Sequence, residues 1–151
     1  MPRHWLIKSE PGSYGIDDLE RDGSTSWEGV RNYQARNFMR DEMREGDRVL
    51  FYHSSVSPPG VAGIARVVRA GYPDSTARDA KSPYYDAKAS DEDPRWFRVD
   101  VGFERRFPQL LPLAILRETP GLEAMPLLNR SRLSVMPVTA EEFRIISDLA
   151  R

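Results

Sequence analysis

Residues 27–38 read Trp27-Glu28-Gly29-Val30-Arg31-Asn32-Tyr33-Gln34-Ala35-Arg36-Asn37-Phe38. Few structural jobs need aromatics, arginines and amides so close together. Amide side chains carry both donors and acceptors. Aromatic rings offer flat faces for stacking, and guanidinium groups suit phosphates and planar partners. A nucleobase has a flat face, a polar edge and a phosphate nearby, so the segment suits capture of a base. Trp27 lies in a polar turn before a glycine and is expected to be a pocket wall. Asn32 and Gln34 would read a base edge, although Asn32 also suits a helix N-cap. Arg31 and Arg36 would hold flanking phosphates, with ion pairing of Arg36 to an acid such as Glu10 as the alternative.

Catalytic chemistry has little to work with. The chain has no cysteine and only two histidines, so thiolate catalysis and cysteine-based zinc sites are excluded. His53 and Ser54 are adjacent in sequence, whereas a nucleophile and its base converge from separate elements. No paired-histidine metal spacing and no glycine-rich phosphate loop occurs. The expectation is a non-catalytic protein with no cofactor and no metal. A separate catalytic partner would leave no mark in this sequence.

The elements that must position these residues fit one domain spanning residues 1–151. A chain of 151 residues can bury a sizeable core. Its formal net charge of −1 argues against holding nucleic acid by bulk electrostatics. Local basic clusters remain: Arg31, Arg36 and Arg40, with no acid between the first and last, then Arg105-Arg106 and Arg130-Ser131-Arg132. No stretch reaches the roughly 20 apolar residues that span a bilayer, and residues 1–10 lack the apolar core of a secretory signal. A cytoplasmic location without membrane contact is the default expectation.

Trp5-Leu6-Ile7-Lys8 reads as a short buried strand with Trp5 in the core. Ile16–Arg21 reads as a helix capped by Ser13 and ended by Gly23. Ser26-Trp27 reads as strand, and a helix opens at Asn32, with Tyr33 and Phe38 anchoring it in the core. Arg48–His53 and Val61–Arg69 are strands, the second with a bulge at Gly63. Residues 71–94 carry three prolines and little periodicity, which predicts an ordered functional loop. Trp96–Phe107 alternates as a half-exposed strand. A helix follows at Pro112–Glu118, then a short helical or irregular piece at Pro120–Leu128 and an extended Arg132–Val138. Thr139-Ala140-Glu141-Glu142 is a capping box opening a last helix with Phe143, Ile146 and Leu149 inward. The sum is an α+β fold whose strands curl into a small barrel.

The blocks Trp5-Leu6-Ile7-Lys8-Ser9-Glu10-Pro11, Trp27 with Gly29–Phe38, and Phe51-Tyr52-His53-Ser54 resemble the EVE domain family. So do Gly63-Ile64-Ala65, Tyr72-Pro73-Asp74, Lys81–Asp86, Pro94-Arg95-Trp96 and Arg132–Val135. These run in family order over nearly the whole chain. The resemblance implies a PUA-like pseudo-barrel of about five or six strands with surrounding helices. It also implies reading of a modified base: modified cytosine in DNA, or a modified base in RNA. Related YTH domains enter an aromatic pocket after a Lys-Ser strand end, a context matched by Lys8-Ser9 and Trp27.

Together these readings assign a base pocket to Ser9, Trp27, Asn32, Tyr33, Gln34, Ser54, Ser55, Tyr85, Trp96 and Ser134. The second aromatic wall falls to Tyr85, Trp96 or Tyr33. Phosphate contacts fall to Arg31, Arg36 and Arg132. The competing reading is a sensor of a small molecule or free nucleoside, which the near-neutral charge also suits. Oligomeric state is open.

Overall fold

The computed structural model describes residues 3–129 and 132–150. Six strands form one mixed sheet in the order β2-β5-β4-β3-β1-β6. They are β1 (His4–Ser9), β2 (Ser24–Trp27), β3 (Arg48–His53), β4 (Gly60–Pro73), β5 (Phe97–Pro112) and β6 (Val135–Val138). β1 runs parallel to β3, and the other neighbours pair antiparallel. The helices are α1 (Ile16–Asp22), α2 (Tyr33–Asn37), α3 (Leu113–Arg117), α4 (Pro126–Asn129) and α5 (Ala140–Leu149). The fold is α+β, as expected. The hydrogen-bonded ladder stays open, with β2 and β6 as its edges.

Central strands are apolar because both faces are covered. Trp5, Leu6, Ile7, Val49, Leu50 and Phe51 are fully buried along β1 and β3. That is the near-continuous pattern of a strand with no solvated face. The Trp5 indole still needs a partner, and Nε1 donates to Asp47 Oδ2 at 2.9 Å. The buried Asp47 carboxylate also accepts the backbone N–H groups of Arg3 and Arg44, so one side chain fixes the chain before β1 and the turn before β3.

β4 and β5 exceed their expected lengths and form the longest ladder, interrupted by several register shifts. One lies between Val61 and Gly63, where a bulge was expected. Each extra residue bends the strand and increases its twist, which curls the open sheet. The edge strand β6 contains Pro137, which has no N–H to offer another chain.

Three local expectations change. Gly15, not Ser13, caps α1, and the Asp18 carboxylate accepts the Gly15 N–H at 2.7 Å. After α2 the chain continues as a π-helical turn, Phe38–Glu42. Leu149 is exposed at the end of α5, where Phe143 and Ile146 carry the burial. α5 has its capping box, with Thr139 Oγ1 accepting from the Glu142 N–H at 3.0 Å and Glu142 accepting from the Thr139 N–H at 2.9 Å. Arg130 and Ser131, from the last basic cluster, lie outside the described residues.

Candidate functional site

β1 ends at Ser9 and β2 at Trp27, and the segments following both strands border a cavity of about 680 Å³. Its lining includes Lys8, Ser9, Glu10, Tyr14, Trp27, Gly29, Arg31, Tyr84 and Ser134. The size falls within the roughly 300–1,000 Å³ of small-ligand sites. Trp27 pairs with Val99 in the sheet, so its backbone is fixed. Its half-buried ring meets Phe51 edge-on at 5.5 Å and Tyr14 at 6.3 Å between centroids. The residue therefore serves both the core and the cavity wall.

Another large aromatic on the lining is Tyr84, 41% exposed. Three groups hold it. Gly29, at φ +82°, leaves the space its ring fills. Arg31 Nη2 donates to the Tyr84 carbonyl at 2.7 Å, and Nε reaches the same oxygen at 3.1 Å. The Tyr84 N–H donates to Ser82 Oγ at 3.1 Å.

Beneath this arrangement lies Asp74, whose side chain is wholly buried. It accepts the Gly29 N–H at 2.8 Å, Arg31 Nη1 at 3.1 Å, and both the N–H and hydroxyl of Thr76. Burial pushes its pKa upward, but these donors outweigh it, and the carboxyl is held below the ordinary aspartate value. Asp74 thus stays an anion and ties residues 74–84 to the segment after β2.

Polar groups share the lining. Ser9 is buried and its hydroxyl donates to the Tyr14 carbonyl. Burial raises the Tyr14 phenol above its usual value, reinforced by its hydrogen bond to Asp22. Burial lowers the Lys8 ammonium from its usual value.

The remaining expected residues spread around this cavity. Ser134 lines it, and also a neighbouring hollow with Ser54 and Ser55. Asn32 caps α2, its Oδ1 accepting the Ala35 N–H at 2.9 Å. Tyr33 is half exposed, not in the core, and stacks on Trp96 at 4.9 Å and 23°. Trp96 is buried and donates Nε1 to Asp86 at 2.8 Å. Gln34 is exposed on α2, and Tyr85 borders a separate hollow with Arg78 and Asp91. Asn32, Tyr33, Gln34, Tyr85 and Trp96 are absent from the Trp27 cavity lining.

The cations divide in the same way. Arg31 serves Asp74 and Tyr84. Arg36 donates to the Arg95 carbonyl at 2.9 Å and to Asn37 Oδ1, not to Glu10. Arg132 is exposed two residues before Ser134.

Sequence reasoning did not single out Tyr84, Tyr14, Gly29 or Glu10 as pocket residues. Tyr84 and Tyr85 are adjacent in a loop without periodicity, so spacing could not choose between them. The glycine directly after Trp27-Glu28 was the available signal, because it permits a close ring approach. Among the described residues no group of three or more His, Asp or Glu is placed to hold a metal, and no helix is long and apolar enough to cross a membrane.

Comparison with known proteins places this geometry in context. The EVE domain family profile matches residues 3–149. Human thymocyte nuclear protein 1 is 41% identical over 99% of this chain and 74% of its own length. A hypothetical protein from Leishmania major, of solved structure, is 47% identical with a TM-score of 0.95, covering 99% of this chain and 95% of that one. The human THYN1 protein solved in complex with 5-methylcytosine-containing DNA is 39% identical with a TM-score of 0.91. That match covers 99% of this chain and 98% of the solved one.

Proposed function

The chain belongs to the EVE domain family, and from that premise we propose that it captures a modified cytosine of DNA in the cavity bounded by Trp27 and Tyr84. The observation that carries this reading is the cavity itself. Three aromatic residues, Tyr14, Trp27 and Tyr84, and the polar ends of β1 and β2 surround a space of about 680 Å³. A relative sharing 39% identity was solved with 5-methylcytosine-containing DNA. An extruded base is read by stacking and by hydrogen bonds to its edge. Here Trp27 and Tyr84 supply faces, while Ser9, Ser134 and nearby backbone groups supply edge contacts.

Stacking on an aromatic is worth roughly 1–3 kcal/mol per base. One methyl group in a shaped pocket discriminates by about 1–3 kcal/mol. Preference for methylated over plain cytosine is therefore moderate. Arg132 takes a phosphate, while Arg31 acts by holding the Tyr84 wall and Arg36 is engaged by Arg95 and Asn37 outside the cavity lining. With a formal net charge of −1, the pocket and not the overall field supplies the selectivity.

The internal engagement of Arg31 and Arg36 favours one second reading, capture of a free nucleoside. A titration separates the two. DNA and RNA oligonucleotides carrying methylated or plain cytosine, and the free nucleosides, are titrated against the protein and Trp27→Ala. The proposal expects the methylated DNA oligonucleotide to bind best and Trp27→Ala to lose the preference. Nucleosides binding as well as oligonucleotides favour the second reading. Equal affinity for every ligand removes both, and a stronger response to RNA changes the partner.

A further inference from the structure

A second cavity of about 500 Å³ adjoins the first and shares Lys8, Glu10 and Ser134 with it. We propose that this second cavity is a backbone subsite, holding the phosphate and sugar of the nucleotide next to the captured base. The inference rests on the base-capture reading above and assigns a role to residues that reading does not use.

The walls suit that occupant. Tyr52, Pro59, Leu113 and Leu127 give apolar surface for a sugar, and Arg117 and Lys8 give positive charge. Arg117, at the end of α3, is exposed and has no ion pair or hydrogen-bond partner among the described residues. Arg31 and Arg36, by contrast, are committed to carbonyls and side chains of the protein. An arginine without an internal partner is the one available for bidentate recognition of a phosphate.

Tyr52 adds a second, independent observation. The residue is 96% buried, at 4% relative exposure, yet its hydroxyl has no hydrogen-bond partner among the described residues. Burial raises its pKa, with the Arg117 charge opposing. The hydroxyl therefore stays a neutral donor, within electrostatic reach of Arg117. Although most of the residue is buried, its hydroxyl oxygen remains open to the cavity, where a phosphate or sugar oxygen can accept from it.

The acid on the shared rim does not oppose this: Glu10 Oε1 accepts the Ser55 hydroxyl at 3.4 Å, and the lining carries two cations to that one carboxylate. The shared residues also set the geometry. A strand whose base enters the Trp27 cavity must carry its sugar-phosphate past Lys8 and Ser134, and the adjoining repeat unit then reaches Tyr52 and Arg117.

The test uses Arg117→Gln and Tyr52→Phe in the full chain, with a methylated DNA oligonucleotide, its unmethylated counterpart and the free methylated nucleoside. Arg117→Gln should weaken both oligonucleotides about tenfold at low salt and reduce the salt slope by roughly one. Its affinity for the nucleoside and its methylated-to-plain ratio should not change. Tyr52→Phe should weaken the oligonucleotides to a smaller degree and leave the nucleoside unaffected. Unchanged oligonucleotide affinity and slope in Arg117→Gln overturns the subsite while leaving base capture intact. A methylated-to-plain ratio that collapses in Arg117→Gln also overturns it, since that residue would then read the base. A wild-type protein with no preference for methylated cytosine removes the base-capture reading, and the subsite with it.

Discussion

The Tyr84 ring lies against Gly29 so closely that a Cβ at position 29 would come within 2.6 Å of Tyr84 Cζ. The glycine also has φ +82°, where side-chain-bearing residues are strained. One residue without a side chain therefore sets how near an aromatic from the 74–96 loop can approach the end of β2.

Gly29→Ala should act twice. The backbone strain costs about 1–3 kcal/mol of stability, read by chemical denaturation. The displaced Tyr84 ring opens the cavity, and affinity for methylated DNA should fall by about tenfold or more, the worth of a stacking face. A variant that loses stability but keeps full affinity would show that Tyr84 is not a wall of the functional pocket.

Arg31→Gln separates a positioning role from a phosphate contact. Its guanidinium bridges the buried Asp74 and the Tyr84 carbonyl. Removing one partner of such a pair costs about 3 kcal/mol or somewhat less, because Arg31 is partly exposed. Binding measured where the variant is still folded should weaken with the salt slope unchanged. A slope reduced by roughly one would instead mark a phosphate contact. Arg31→Lys should not restore binding, since an ammonium cannot hold Asp74 and Tyr84 in the same fork.

Stability should decline on mild acidification. His53 Nε2 accepts the Ile16 N–H at 3.1 Å, which requires a neutral imidazole. Burial lowers the His53 pKa below 6.5, with Asp17 opposing, and burial followed by Arg48 lowers that of His4. The unfolded chain then binds protons more readily than the folded one as pH falls below 6.5. This contribution is complete above the unfolded value and is lost as pH falls through the lower folded value. Thermal unfolding between about pH 7.5 and pH 5.5 should show the loss. His53→Gln, whose amide oxygen can accept the same N–H, should flatten the slope. An NMR titration placing the His53 pKa at or above 6.5 contradicts this account.

Much of the fold was legible because it follows short-range rules. The apolar run Trp5–Ile7, the bulge signal at Gly63 and the capping box at Thr139 each declare themselves within a few residues. The helix start at Gly15 was less visible, since its cap is the Asp18 side chain reaching back rather than a hydroxyl in front. The candidate site was legible on the β2 side, where Trp27 stands in a polar context, and at Ser9. It was obscure wherever function depends on contacts distant in sequence. Asn32 and Arg36 look alike as reading groups in one dimension, yet one closes a helix turn and the other holds Arg95 fifty-nine residues away. Tyr84 enters the cavity through Gly29, Arg31 and Asp74, a relationship that no periodicity encodes.

The central claim is that a modified cytosine enters the space between Trp27 and Tyr84. The most direct measurement is NMR of a DNA oligonucleotide whose 5-methylcytosine carries an isotopically labelled methyl group. On binding, the methyl resonance should move upfield under the ring currents of the flanking aromatics. The shift should vanish in Trp27→Ala and shrink in Gly29→Ala. A methyl resonance that stays at its free position while the protein demonstrably binds the DNA would place the base elsewhere and contradict the account.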